Sequence, residues 1–178
     1  MNKLVLPIIV SVILLSGLAN ATSTGNITFN GKLSANTCDV IVDDQAADAT
    51  VTLPTVNTNQ LAATYDIAGE TGFTMVLNNC SGVLTSASAF FEPGPTVNTL
   101  TGRLKNLGTA SNVSLQLLVG APPTRLIEVG NQNQFLSNLY EDISTGSATL
   151  KYTVRYFAEQ ATTPGTVTSY VVYSLQYQ

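Results

Sequence analysis

Through most of this chain, apolar side chains recur at every second position, and Gly or Pro ends each run. Leu150, Tyr152, Val154 and Tyr156 alternate with Lys151, Thr153 and Arg155. Val113, Leu115, Leu117 and Val119 repeat the pattern until Gly120 and Pro122-Pro123 stop it. Phe73, Met75 and Leu77 lead toward Cys80, and Val51 and Leu53 alternate briefly before Pro54. Ala87 to Phe91 is a short apolar run closed by Pro93-Gly94-Pro95. After Pro164-Gly165, the series Val171, Tyr173, Leu175 and Tyr177 carries the pattern on. Near the start, Ile27, Phe29, Gly31, Leu33 and Ala35 alternate with Thr28, Asn30, Lys32 and Ser34. A period of two places such residues on one face of a strand, whereas a helix needs 3.6. Short strands punctuated by Gly and Pro, without a long amphipathic helix, predict an all-β sandwich. One helical turn is expected at residues 59–64. In residues 125–142, Leu126-Ile127 and Phe135-Leu136 mark short strands or loop anchors. There is no internal repeat or linker, so one domain is expected.

The first residues read as a cleaved signal peptide, residues 1–21. Lys3 supplies the positive start, Leu4 to Leu15 an apolar run, and Ala19-Asn20-Ala21 the small-x-small cleavage pattern. A spanning helix needs about 20 apolar residues, and this run stops at Ser16-Gly17. Cleavage leaves residues 22–178, with six basic and eleven acidic residues and a net charge of −5. The basic residues are scattered, which argues against nucleic-acid binding. Charged residues make up 10% of the chain, against about 25% in an ordinary globular protein. Such a surface does little to repel other copies. Cys38 and Cys80 are an even pair in an exported chain and read as a disulfide, with two buried free thiols as the alternative.

No catalytic set is visible. The chain has no histidine, the usual proton carrier and activator of nucleophiles. A metal site lacks ligands for the same reason, there being no third cysteine either. Asp43-Asp44 and Glu141-Asp142 are adjacent pairs whose side chains diverge in an extended segment. No enzyme, cofactor or metal chemistry is expected.

The strand count after the first run falls short of the seven of an immunoglobulin-type sandwich, and both ends of the mature chain are strand-like. The segment Gly25-Asn-Ile-Thr-Phe-Asn-Gly-Lys-Leu leads to Cys38, and Cys80 follows Leu77-Asn78-Asn79. Arg155-Tyr156-Phe157-Ala158, Pro164-Gly165 and Leu175-Gln176-Tyr177-Gln178 close the chain. In order, spacing and placement these segments resemble the type 1 fimbrial subunits of the chaperone–usher pathway, over essentially the whole mature chain.

That resemblance implies an incomplete immunoglobulin-like β-sandwich, the pilin fold, lacking its final strand. A donor strand from a periplasmic chaperone, and then from a neighbouring subunit, completes it. The division implied is a donor-strand arm at residues 22–35 and a pilin domain at 36–178. Ile27, Phe29 and Leu33 are the arm's anchors, with Gly31 as its small residue. Val171, Tyr173, Leu175 and Tyr177 form the groove and the chaperone-facing strand. The implied partners are copies of the chain or related pilus subunits, the chaperone and an outer-membrane usher. The route runs through the periplasm to a fimbrium on the bacterial surface, with the chain as the major shaft subunit. A minor adaptor subunit, or a stand-alone secreted β-sandwich binding module with the first strand bonded in its own domain, stays open.

Overall fold

The computed structural model describes residues 25–31, 33, 35–137 and 139–178. The expected signal peptide, the first residues of the expected arm, and Lys32 and Ser34 lie outside the described residues. Residues 25–31 belong to no helix or strand, and Ile27 and Phe29 are 80% and 89% exposed. Their alternation suits a strand, but a strand is defined by a partner for its backbone groups.

From Leu33 onward the chain folds as nine strands among the described residues: β1 (Thr37–Val42), β2 (Ile67–Ser81), β3 (Ser86–Phe91), β4 (Leu104–Lys105), β5 (Val113–Val119), β6 (Arg125–Ile127), β7 (Glu141–Asp142), β8 (Ala148–Ala158) and β9 (Tyr173–Tyr177). A 3₁₀ turn spans Thr58–Leu61, and a one-turn helix α1 spans Gln134–Ser137. The larger sheet runs β1-β2-β8-β5-β4, with β6 also paired to β5, and the smaller runs β7-β3-β9. Every pairing is antiparallel.

The core forms where the alternating faces meet. Phe73, Met75 and Leu77 from β2, Leu115, Leu117 and Val119 from β5, and Leu150, Tyr152 and Val154 from β8 line the larger sheet's inner face. Ala87, Ala89 and Phe91 face them from β3. The Tyr152 ring sits edge-on to Phe91 at 5.1 Å and beside Phe73 at 5.6 Å. Strand β5 is buried along its whole length, so its outward Ser114 and Gln116 need partners. Ser114 donates to Glu159 at 2.7 Å, and Gln116 accepts from Arg155 at 2.9 Å.

Cys38 and Cys80 form the expected disulfide, tying β1 to the far end of β2 across 42 residues of sequence. Val51 and Leu53, expected to alternate in a strand, lie in none. They pack half-buried against the core, where Pro54 deprives the segment of a ladder donor. Val171 likewise precedes β9 instead of lying within it. Glu141-Asp142 forms the short strand β7, which pairs with β3 while staying exposed. The Asp43-Asp44 pair does form a turn, with φ of 45° and 57°.

Gly102 holds φ at +66°, and a Cβ there would lie 2.5 Å from the Glu128 Cα. Conformation and contact both exclude a side chain. Gly102→Ala should lower the unfolding free energy by about 2–3 kcal/mol, read from urea denaturation of the two proteins side by side.

On the outer face, Arg103 holds Glu159 with two bonds of 2.9 Å and lies over the Phe157 ring at 4.1 Å. Burial pushes the Glu159 carboxyl up, but its bonds to Arg103 and Ser114 outweigh that and hold it below its ordinary value. A carboxyl lowered in the folded state stabilises at pH above its unfolded value, and that support disappears as pH falls through the folded one. The melting-temperature gap between wild type and Glu159→Gln should therefore be full at neutral pH and close as pH falls below the ordinary carboxylate range. A gap that stayed constant would mean the ion pair contributes nothing.

Candidate functional site

Strand β9 is bonded on one side only. It pairs with β3 from Tyr173↔Phe91 to Tyr177↔Ala87, and no described strand pairs with its other edge. The same one-sidedness continues upstream. Val172 O accepts from Glu92 N at 2.8 Å, Thr168 O from Leu107 N at 2.8 Å, and Thr166 O from Ala110 N at 3.1 Å. Tyr170 O accepts from the Thr96 hydroxyl at 2.7 Å. Backbone groups of successive residues in an extended chain point to opposite sides. The alternate residues Val167, Ser169 and Val171 thus aim theirs away from β3, and among the described residues their backbones form no hydrogen bond. The buried Ser169 hydroxyl is also without a partner.

A groove lies on that side. Its wider part, about 720 Å³, has residues 47–53 as one wall and residues 169–173 as the other. Its floor is the core itself, lined from below by the buried side chains of Phe73, Met75, Leu115, Leu117 and Val154. A second part, about 640 Å³, has residues 55–58 as one wall and residues 162–168 as the other, over Leu61, Val113 and Tyr156. Of the described residues lining both parts, Asp48 alone is charged.

The walls run antiparallel and are bridged at both ends. The Tyr173 hydroxyl donates to Ala47 O at 2.9 Å, while Thr162 N and its hydroxyl both reach Leu61 O at 3.1 Å. Between the bridges Tyr156 donates to Pro54 O at 3.2 Å. Burial raises the phenol of Tyr173, and Asp48 adds to the rise. Burial raises Tyr156 as well. Burial also raises Tyr177, against an opposing backbone contact with Cys38. These hydroxyls therefore stay protonated donors at neutral pH.

Of the groove residues expected from sequence, Val171 and Tyr173 line the wider part. Leu175 and Tyr177 sit half-buried on the core beyond it. The expected anchors Ile27, Phe29 and Leu33 are exposed, and nothing lies within 4 Å of where a Gly31 side chain would start. Sequence reasoning missed the wall at residues 47–58 and the role of Tyr156. The alternation of Val51 and Leu53 was the signal, read there as an ordinary strand. Among the described residues, no group of three or more His, Cys, Asp or Glu could hold a metal ion.

The comparisons with known proteins bear on this geometry. The Major fimbrial subunit SMF-1 of Stenotrophomonas maltophilia is 39% identical, over 90% of this chain and 96% of that protein. The F17 fimbrial protein of Escherichia coli is 37% identical, over 92% of each chain. In structure, the P pilus rod subunit PapA shares the fold with a TM-score of 0.58 at 16% identity, over 79% of this chain and 99% of that one. The profile described as Fimbrial protein matches residues 27–178, so the chain belongs to the fimbrial protein family and is a structural subunit of a surface fimbrium, assembling with other pilus subunits, rather than an enzyme.

Proposed function

We propose that the chain polymerises by donor-strand exchange, as the major shaft subunit, with residues 22–35 as the arm that one copy lays into the groove of the next. The observation that carries this reading is the groove wall at residues 167–171, with unpaired backbone groups above an apolar floor. A ligand for such a site must bring its own ladder of backbone donors and acceptors together with alternating apolar side chains. An extended peptide does both.

The arm has that form. Ile27, Phe29 and Leu33 share one face of an extended chain, and each buried large side chain contributes about 1.5–3 kcal/mol. Gly31 between them supplies a shallow contact. Lengths agree as well. Residues 163–172, between the two bridges, span about 33 Å when extended, and residues 25–35 span about 36 Å. Register follows from the period of two, because a slip of one residue turns every anchor to solvent.

Before assembly the same groove suits a strand lent by a periplasmic chaperone, with the exchange taking place at an outer-membrane usher. Val171, Tyr173, Leu175 and Tyr177 are the side chains such a strand would run beside.

Size-exclusion chromatography of the mature chain, beside a variant lacking residues 22–35, tests the reading. Concentration-dependent polymers from the full chain are expected. The truncated chain should stay monomeric and bind a synthetic peptide of residues 25–35. A full chain that remains monomeric, with a truncation that binds no peptide, would mean the arm belongs to its own domain.

A further inference from the structure

A subunit that accepts a strand at one edge of a sheet forms a linear polymer only if the other edge of that sheet refuses one. In the small sheet β7-β3-β9, the second edge of β3 faces away from the groove strand, and every residue directed toward it is occupied. Ala87 pairs with Glu141 of the two-residue β7. Ala89 N–H donates to the Tyr152 hydroxyl at 3.1 Å. Phe91 N–H donates to Gln134 Oε1 at 3.0 Å, and Phe91 O accepts from Gln134 Nε2 at 3.0 Å and from Gly130 N at 3.0 Å.

Gln134 is the unusual member. It is 1% exposed in a chain whose other glutamines are mostly on the surface. Its amide offers Phe91 one acceptor and one donor together, as the backbone of a neighbouring strand does. A third bond, from Nε2 to Asn131 O at 3.2 Å, secures it to its own loop. The helix it begins, α1, carries Phe135, whose ring stacks on Phe90 at 4.9 Å. Gln134 therefore imitates a strand at one point and fastens the segment from Gly130 to Phe135 beside Phe90 and Phe91. Covered or interrupted edges resist pairing with other chains, and exposed ones invite it.

We propose that Gln134, seconded by the Tyr152 hydroxyl, blocks strand addition at the β3 edge and so leaves the small sheet a single acceptor edge. This rests on the donor-strand reading for what happens at the open edge. The claim about the blocked edge is separable from it.

The test compares the full chain with Gln134→Met, which keeps side-chain length without the amide, and with Tyr152→Phe, which removes only the hydroxyl. Each is mixed with a saturating synthetic peptide of residues 25–35 and followed by analytical ultracentrifugation and electron microscopy. Wild type should fall to single copies. Gln134→Met should keep a weight-average mass roughly threefold higher or more, with branched or laterally joined particles. Tyr152→Phe should shift in the same direction by less. A lowered melting temperature alone would mark a merely structural role, so association is compared well below both melting temperatures.

A folded Gln134→Met with the mass of wild type overturns the proposal. If that variant does not fold, Tyr152→Phe decides by the same comparison, and equality with wild type overturns it. Failure of the peptide to bind wild type counts against the donor-strand reading instead. The edge proposal is then read from the excess association of variant over wild type in the same solution, and its absence overturns it.

Discussion

Phe29→Asp should abolish fibre formation while leaving the fold intact. Phe29 is 89% exposed, so its replacement removes nothing from the core and the melting temperature should not move. On the donor-strand reading the same position meets an apolar floor in the assembled state. The substitution forfeits about 2 kcal/mol of apolar burial and sets a carboxylate there without a partner, at a further cost of at least about 2 kcal/mol. Together these weaken arm binding by roughly 10³-fold. Thr28→Asp, on the opposite face of an extended arm, changes charge equally and should weaken binding far less. Sedimentation of fibres and negative-stain microscopy would read both. Equal loss in the two variants would point to charge alone and against a face-specific insertion.

Removing the disulfide is the second large effect. Cys38 and Cys80 close a loop of 42 residues, which in the chain-entropy model contributes about 4 kcal/mol. Typical domains have only about 5–15 kcal/mol in total. The double variant Cys38→Ser, Cys80→Ser should therefore unfold at much lower urea concentration than wild type. It should also bind arm peptide poorly. The bridge fixes β1 to β2 beside the core, and the chain leaving β1 becomes the groove wall at residues 47–58. A double variant as stable as wild type would show that strand pairing alone holds that edge.

Long alternating runs were legible in the sequence because their side chains carry the pattern themselves. Strands β5 and β8 fall where Val113 to Val119 and Leu150 to Tyr156 alternate, and β3 matches the apolar run ended by Pro93-Gly94-Pro95. The two-residue strands β4 and β7 were not legible, since two residues hold no period and depend on a partner far away in sequence. Residues 47–58 misled for the opposite reason. Val51 and Leu53 alternate as a strand does, yet they wall a groove without a ladder partner. Half of the candidate site was visible, namely Val171 and Tyr173, because the apolar alternation that begins before β9 and runs into it shows in sequence. The unpaired backbone of residues 167–171 was not, since a backbone's partners depend on the sheet and not on local residue type. Gln134 was invisible too. A glutamine beside Phe135-Leu136 reads as a surface residue until β3 is placed against it.

The most direct measurement of the central claim is photo-crosslinking from position 29, with benzoylphenylalanine in place of Phe29 and the products mapped by mass spectrometry. Donor-strand exchange predicts crosslinks between copies, landing on groove-lining residues within 42–58 and 154–173. Crosslinks confined to a single copy, or scattered over the outer faces of the sheets, would contradict it.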